Sequence, residues 1–136
     1  MAQDKAEIVR ALFDAISRGD IDAVEESVTD DVEMDWSNSR SLLSSVHRGR
    51  DNAREALTSF LEPWESLTWD PKELIELDDD RVLAVSEIRM RGHGSGVDVS
   101  ARGASIWTIR DGKVAAAKLY QSKDEALEAA GAGERS

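Results

Sequence analysis

No cysteine occurs in this chain, so disulfide bonds, thiolate metal ligands and cysteine nucleophiles are all excluded. Histidine is almost as scarce, because only His47 and His93 are present, which excludes a histidine-rich metal site. No apolar run approaches the roughly 20 residues that a membrane-spanning helix needs. The first residues also lack the basic and apolar regions of a signal peptide. We therefore expect a cytoplasmic protein that holds neither a metal nor a cofactor.

Positively charged residues are also scarce, since the chain has 17 Lys and Arg residues but 28 Asp and Glu residues, which gives a net charge of −11. A field of that sign repels nucleic acid and anionic lipid. The acidic residues are spread over predicted helical faces and turns, such as the three aspartates at 78–80, which is typical of a solubilising surface. Nucleic acid and membranes are therefore not expected partners.

The chain of 136 residues is long enough for one domain with its own core. We assign that single domain to residues 1–130 and expect residues 131–136 to form a flexible tail. A polar, serine-rich segment at 37–49 is predicted to be a loop, of a length that is usually functional or mobile.

The first half of the chain carries helical patterns. Apolar residues at helical spacing between Ile8 and Ile16 predict a helix over residues 4–18, and Gly19 is typical of the position after a helix. A second, shorter helix begins at Asp20, and a third is predicted between residue 51 and the proline at 63. A short alternating run at 32–36 is predicted to be a strand.

The pattern of the second half predicts four β-strands, at residues 67–77, 82–91, 97–109 and 113–121. The pair Asp111-Gly112 predicts a tight hairpin turn between the last two strands, and a final helix is expected at 123–130. Helices followed by strands predict an α+β fold, with the N-terminal helices packed on one face of a curved antiparallel sheet. That arrangement tends to enclose a pocket.

Four motifs in this order resemble the nuclear-transport-factor-2-like superfamily, and its SnoaL-like branch in particular. They are SRGDIDA at 17–23, DVEMDW at 31–36, HRGRD at 47–51 and IWTIRDGKV at 106–114. The resemblance implies a conical α+β barrel (cystatin-like), a pocket between the helices and the concave sheet face, and a homodimer formed through the sheets. The superfamily includes ketosteroid isomerase, polyketide cyclases, limonene-epoxide hydrolase, scytalone dehydratase and members without catalytic activity, so the fold alone does not give the function.

The residues that the best-known reactions of the superfamily require are missing. Ketosteroid isomerisation needs a carboxylate base, a tyrosine and a protonated aspartate. The resemblance places these on Trp36, near Leu12 and near Ser105. The epoxide-hydrolase pattern is matched only by Glu87 and Arg89, because its second acid has no counterpart on the last strand. Neither reaction is therefore expected in its known form.

One face of the strand at 82–91 carries the candidate catalytic groups. The resemblance directs Val85, Glu87 and Arg89 into the pocket, where Glu87 would act as acid or base and Arg89 as its partner or as an anion clamp. In the alternative, Glu87, Arg89 and Arg91 form a solvated or dimer-interface ladder, while Ile88 and Met90 pack inside. Asp35 is a further candidate acid, or else a hydrogen-bond acceptor beside the helices.

The ligand-binding residues expected to line the pocket are Met34, Trp36, Val85, Ser105, Trp107, Ile109 and Gln121. The two tryptophans form a ligand wall if a cavity remains between them, and plain core if it does not. We predict a small-molecule pocket protein of the isomerase, cyclase or hydrolase type that takes a hydrophobic molecule. The alternative is a non-catalytic ligand-binding or dimerisation module.

Overall fold

The computed structural model describes residues 5–36, 46–94 and 97–134, which form four helices and six strands. In chain order the elements are α1 (Lys5–Ser17), α2 (Ile21–Glu26), β1 (Val28–Asp35), β2 (Val46–Arg48), α3 (Arg50–Leu61), β3 (Trp64–Glu76), β4 (Arg81–Gly92), β5 (Asp98–Arg110), β6 (Lys113–Tyr120) and α4 (Lys123–Glu134).

Helix α1 forms where the apolar spacing predicts it. Its buried stripe includes Ile8, Leu12 and Phe13, and the chain leaves the helix through Gly19 at a φ of +70°. That backbone conformation is easily reached only without a Cβ atom. Asp20 then caps α2 by accepting a hydrogen bond from the Ala23 amide at 3.2 Å. Across the described ranges, no helix combines the length and the apolar character required to span a bilayer.

The six strands form one curved, unclosed sheet in the order β2-β1-β6-β5-β4-β3. The predicted α+β class is confirmed, but the expectation of a purely antiparallel sheet is wrong, because β1 runs parallel to β6. Turn residues reveal the direction of strands that follow each other, as in the β5–β6 hairpin at Asp111-Gly112. The β1–β6 pair joins distant parts of the chain, and no turn between them encodes its direction.

Several boundaries differ from the predicted ones. Part of the expected loop at 37–49 is strand β2, which pairs with β1 through His47 opposite Met34, while residues 37–45 lie outside the described residues. Helix α4 continues through Gly131 to Glu134, so the helix end predicted at residue 130 is wrong, while the flexible tail at 131–136 stays a prediction. Edge strand β3 shifts register at Pro71, a residue that cannot donate a hydrogen bond to the ladder.

Apolar side chains are buried on both faces of the sheet. The concave face packs against α1, α2 and α3 in the larger core, which includes Phe13, Trp69 and Trp107. The outer face packs against α4 in a smaller core around Leu83 and Ala126. The larger core determines where space remains for a ligand.

Candidate functional site

A cavity of about 790 Å³ lies between the concave face of the sheet and the C-terminal end of α3. Its walls come from strands β3, β4, β5 and β6, from α3, and from Trp36 directly after β1. The described lining is mostly apolar and includes Trp36, Phe60, Trp64, Trp69, Ser86, Ile88, Met90, Ala101, Ser105, Leu119 and Gln121.

The cavity exists because α1 covers only part of the concave face. Where the helix lies on the sheet, Phe13 stacks on Trp69 with ring centroids 5.0 Å apart and meets Trp107 edge-on at 5.1 Å. Trp69 therefore marks the boundary between filled core and open space. A separate crevice among α1, α2 and α3 measures only about 30 Å³, which leaves room for no more than one or two waters.

Three of the residues that line the cavity carry polar atoms that are themselves buried. Ser86 Oγ and Trp69 Nε1 are buried and have no hydrogen-bond partner among the described residues. Ser105 Oγ accepts a hydrogen bond from Trp107 Nε1 at 2.7 Å. Ser86, Trp69 and Ser105 lie on the neighbouring strands β4, β3 and β5, and we call them the polar trio. Buried polar atoms are nearly always paired in native proteins, so the two unpartnered atoms require an explanation.

Ser105 is the one member of the polar trio whose side chain has a hydrogen-bond partner in the protein. Replacing Ser105 by alanine tests how much this hydrogen bond stabilises the fold. We expect Ser105→Ala to lower the free energy of unfolding by about 1–3 kcal/mol, because Trp107 Nε1 would lose its acceptor in a side chain that is only 2% exposed. Urea denaturation would measure the change. Ser100→Ala, at an exposed position on the same strand, should stay within about 0.5 kcal/mol of the wild type. Equal stability of the two variants would contradict the prediction.

The residues predicted to line the pocket divide into two groups. Trp36, Ser105 and Gln121 line the cavity. The other three concave residues (Met34, Trp107 and Ile109) belong to the packed core under the helices and do not line it. The loss of space there follows from α1, whose side chains fill that part of the concave face.

Of the two orientations considered for β4, the structure has the one that places Ile88 and Met90 inside and Glu87 and Arg89 outside, so the expectation that Val85, Glu87 and Arg89 line the pocket is wrong. Ser86, Ile88 and Met90 point to the cavity, whereas Val85 packs with the outer core against α4. The cause is the register between strands, since Ala84 lies opposite Ser105 and directly paired residues share one face.

Glu87 and Arg89 consequently lie on the outer face and form an ion pair there. Glu87 Oε1 is 2.9 Å from Arg89 Nη2, and Glu87 Oε2 is 3.5 Å from Arg102 Nε. The hydrogen bond from Arg89, which outweighs the effect of burial, holds the pKa of the Glu87 carboxyl below its ordinary value. The Asp35 carboxylate faces Lys118, with 3.8 Å between Oδ2 and Nζ. None of the three predicted catalytic residues lines the cavity.

Few groups suited to acid–base or metal chemistry occur in the described lining of the cavity. Among the described residues that line the cavity there is no Asp, Glu, His or Lys. His47 lies against the edge of the Trp36 ring, with the ring centroids 5.3 Å apart. Within the described ranges, no group of three His, Cys, Asp or Glu residues could hold a metal ion. The arrangement is suited to binding and orienting an apolar molecule.

Sequence reasoning missed Ser86 as a residue of the cavity lining. Ser86 is the only polar member of the β4 set that points inward, in which it alternates with Val82, Ala84, Ile88 and Met90. A single hydroxyl in an otherwise apolar strand face is a detectable signal. It was overlooked because the opposite face of β4 was expected to line the pocket.

The model of the SnoaL-like domain matches residues 9–117 of this chain. The chain belongs to this family. The predicted resemblance to the SnoaL-like branch of the nuclear-transport-factor-2-like superfamily is therefore confirmed. No curated protein matches this SnoaL-like chain.

Solved structures share the fold of the SnoaL-like chain at low sequence identity. TerC, co-crystallised with polyporic acid, is 20% identical, with a TM-score of 0.73 over 93% of this chain and 98% of TerC. RV0760c from Mycobacterium tuberculosis, in complex with estradiol-17beta-hemisuccinate, is 16% identical, with a TM-score of 0.76 over 90% and 97% of the two chains. SalBIII, an epoxide hydrolase/cyclase-like enzyme in pyran ring formation, is 21% identical, with a TM-score of 0.73 over 88% and 92%.

Proposed function

We propose that this SnoaL-like protein binds a largely apolar small molecule in the cavity on the concave face of its sheet. The observation that carries the proposal is the combination of about 790 Å³ of space and a mostly apolar wall. Cavities of roughly 300–1,000 Å³ with this kind of lining are typical of small-molecule sites. Two neighbours of the same fold, TerC and RV0760c, were crystallised with small molecules, which supports the proposal.

The aromatic side chains of the wall favour a molecule with flat apolar surfaces. Trp36, Phe60 and Trp64 line the cavity together with Trp69. Aromatic rings offer large, rigid contact areas, and each square ångström of apolar surface removed from water contributes about 25 cal/mol. Because no described lining residue supplies a carboxylate or an imidazole, we propose binding and orientation as the primary role rather than acid–base catalysis.

The proposal can be tested with prodan, a neutral naphthyl ketone dye whose emission shifts to the blue in apolar surroundings. We expect saturable binding of one dye per chain with a blue-shifted emission maximum. A dye that shows no saturable binding, together with native mass spectra of the purified protein that reveal no retained small molecule, would contradict the proposed function.

A pair of variants on β5 locates the bound dye. Ala101→Trp places a large side chain in the cavity, whereas Ser100→Trp places the same side chain one residue earlier, on the outer face. We expect the dissociation constant of prodan to rise about tenfold or more in the first variant and to change less than about twofold in the second. Equal affinities in the two variants would mean that the dye binds elsewhere.

The homodimer formed through the sheet and the cytoplasmic location stay predictions from the sequence. Light scattering coupled to size-exclusion chromatography would test the first, since a monomer mass at micromolar concentration would contradict it.

A further inference from the structure

Strand β5 extends beyond the strand that pairs with it on one side. Strand β4 accompanies β5 from Asp98 to Thr108, whereas the pairing with β6 begins only where Ala104 meets Tyr120. Within the described ranges, no strand other than β4 is paired with residues 98–103. We call this segment the open edge of β5.

The backbone of the open edge has hydrogen-bonding groups that β4 does not use. Successive residues of an antiparallel strand point their N–H and C=O groups to opposite sides. At the two ends of the ladder with β4, the Val97 carbonyl accepts a bond at 3.0 Å and the Ile109 amide donates one at 2.7 Å. The register between these ends is unbroken, so the odd-numbered residues of β5 bond to β4. The N–H and C=O groups of Asp98, Ser100 and Arg102 therefore point away from β4, to the side on which β6 has ended.

The other long edge of the sheet is protected, and the open edge is not. Exposed edges accept further strands, and proteins usually block them with proline, lysine or a bulge. Edge strand β3 has all three, because its register shifts at Pro71 and Lys72 follows. The open edge contains neither proline nor lysine, and its register to β4 has no bulge. It is exposed to solvent and includes Val99, whose relative exposure is 40%. These features are typical of an edge that is used for pairing.

We propose that the open edge pairs with the same segment of a second copy of this chain. Two antiparallel β5 strands centred on Ser100 form one continuous sheet, in which a two-fold axis relates the copies. This register joins Ser100 to Ser100, and Asp98 to Arg102 in both directions. All three residues point their N–H and C=O groups to the open side, so each pair exchanges two hydrogen bonds. The contact is edge to edge, which distinguishes it from the packing of two sheet faces.

The charges of the open edge favour a second copy as its partner. In the proposed register Asp98 of each copy lies directly opposite Arg102 of the other, and opposite charges at such positions attract. The Arg102 side chain is 84% exposed and its Nε lies 3.5 Å from Glu87, so it is held only loosely within its own chain. Two copies that each carry a net charge of −11 repel as a whole. The two Asp98–Arg102 contacts therefore select this register among other encounters of the two copies.

The second copy also extends the wall of the cavity. Ala101 lines the cavity, and in the proposed register Val99 of the other copy lies opposite Ala101 on the same face. The pairing thereby covers an apolar side chain that is exposed in the single chain. This inference goes beyond the proposed function, because the pairing itself requires no ligand.

Variants with exchanged charges test the pairing. Asp98→Arg places two arginines opposite each other at both ends of the contact, and Arg102→Asp places two aspartates there. Because the contact is small, we expect sedimentation equilibrium to show a doubling of the wild-type mass between about 1 and 100 µM. Each single variant should raise the dissociation constant about tenfold or more. An equimolar mixture of the two variants restores opposite charges at both ends and should associate like the wild type.

Two outcomes of this experiment would overturn the proposal. A wild-type mass that does not double over this range would rule out a second copy as the partner and would favour an extended segment of another protein. A mixture that associates no better than the single variants would show that Asp98 and Arg102 do not lie opposite each other.

A single introduced cysteine locates the two-fold axis. The chain has no cysteine of its own, so oxidation of Ser100→Cys can form a disulfide only between two copies. The proposed register places the two Cα atoms at position 100 about 5.5 Å apart, a distance that a disulfide can bridge. Thr68→Cys is the matched control, because Thr68 is exposed on the same face of the sheet, on β3. With oxidised glutathione we expect Ser100→Cys to cross-link about tenfold faster than Thr68→Cys. Equal rates would mean that the sheets meet through their faces or only by collision, and would overturn the edge pairing.

Discussion

Replacing Phe13 by alanine is expected to lower the free energy of unfolding by about 3–5 kcal/mol. The Phe13 side chain is fully buried, stacks on Trp69 and meets Trp107 edge-on, so its removal leaves a hole at the centre of the larger core. Part of the cost is lost transfer free energy, and the rest comes from the cavity that the rigid neighbours cannot fill. Urea denaturation followed by far-ultraviolet circular dichroism would measure the change.

The same substitution should also weaken prodan binding. Trp69 separates the filled core from the cavity, and the Phe13 ring holds it from behind at 5.0 Å. Arg10→Ala, on the exposed side of α1, is the matched control and should change the stability by less than about 0.5 kcal/mol. A loss below about 1 kcal/mol for Phe13→Ala would show that the core collapses around the missing ring.

Leu83→Ala should cost about 2–5 kcal/mol of stability and leave the affinity for prodan unchanged. Leu83 is fully buried, but it lies on the outer face of β4, in the smaller core with Ala126 and Ala130 of α4. Its truncation creates a hole on the side of the sheet opposite the cavity. Measurements of unfolding and of dye binding on one protein preparation would separate the two effects.

Together, Phe13→Ala and Leu83→Ala test how independent the two faces of the sheet are. Both remove a fully buried side chain, yet only Phe13 packs behind a residue of the cavity wall. A large fall in prodan affinity for Leu83→Ala would contradict this separation. Such a result would mean that strand β4 transmits the disturbance from its outer face to its inner face.

The elements of this fold that depend on local sequence patterns are predictable, and those that depend on pairing between distant segments are not. The helix around Phe13 and the hairpin at Asp111-Gly112 are local patterns, in which spacing or turn chemistry alone decides the structure. Strand β2 could not be predicted in the same way, because its three residues pair with β1 and have no distinct pattern of their own. The parallel direction of β1 and β6 is also a property of two distant segments.

The candidate site was predicted less well than the fold, for a related reason. The family resemblance placed Trp36, Ser105 and Gln121 near the pocket, and these residues line the cavity. The catalytic candidates Glu87 and Arg89 were expected to face the pocket, but they face outward. An error of one residue in assigning the faces of a strand exchanges its two sides, so every side chain of β4 was affected at once. The pairing of Ala84 with Ser105 shows which face of β4 points to the cavity, and this pairing is known only from the assembled sheet.

The parallel pairing of β1 with β6 also has a consequence for the order of folding. Met34 and Ala117 are partners in this pair, although more than half of the chain lies between them. Loop closure over such a distance must precede the contact, and proteins rich in distant contacts fold more slowly than helical bundles, in milliseconds to seconds. During synthesis the apolar stripe of α1 therefore emerges well before the strands that bury it. Until those strands have assembled, the newly made chain exposes surface that later becomes its core.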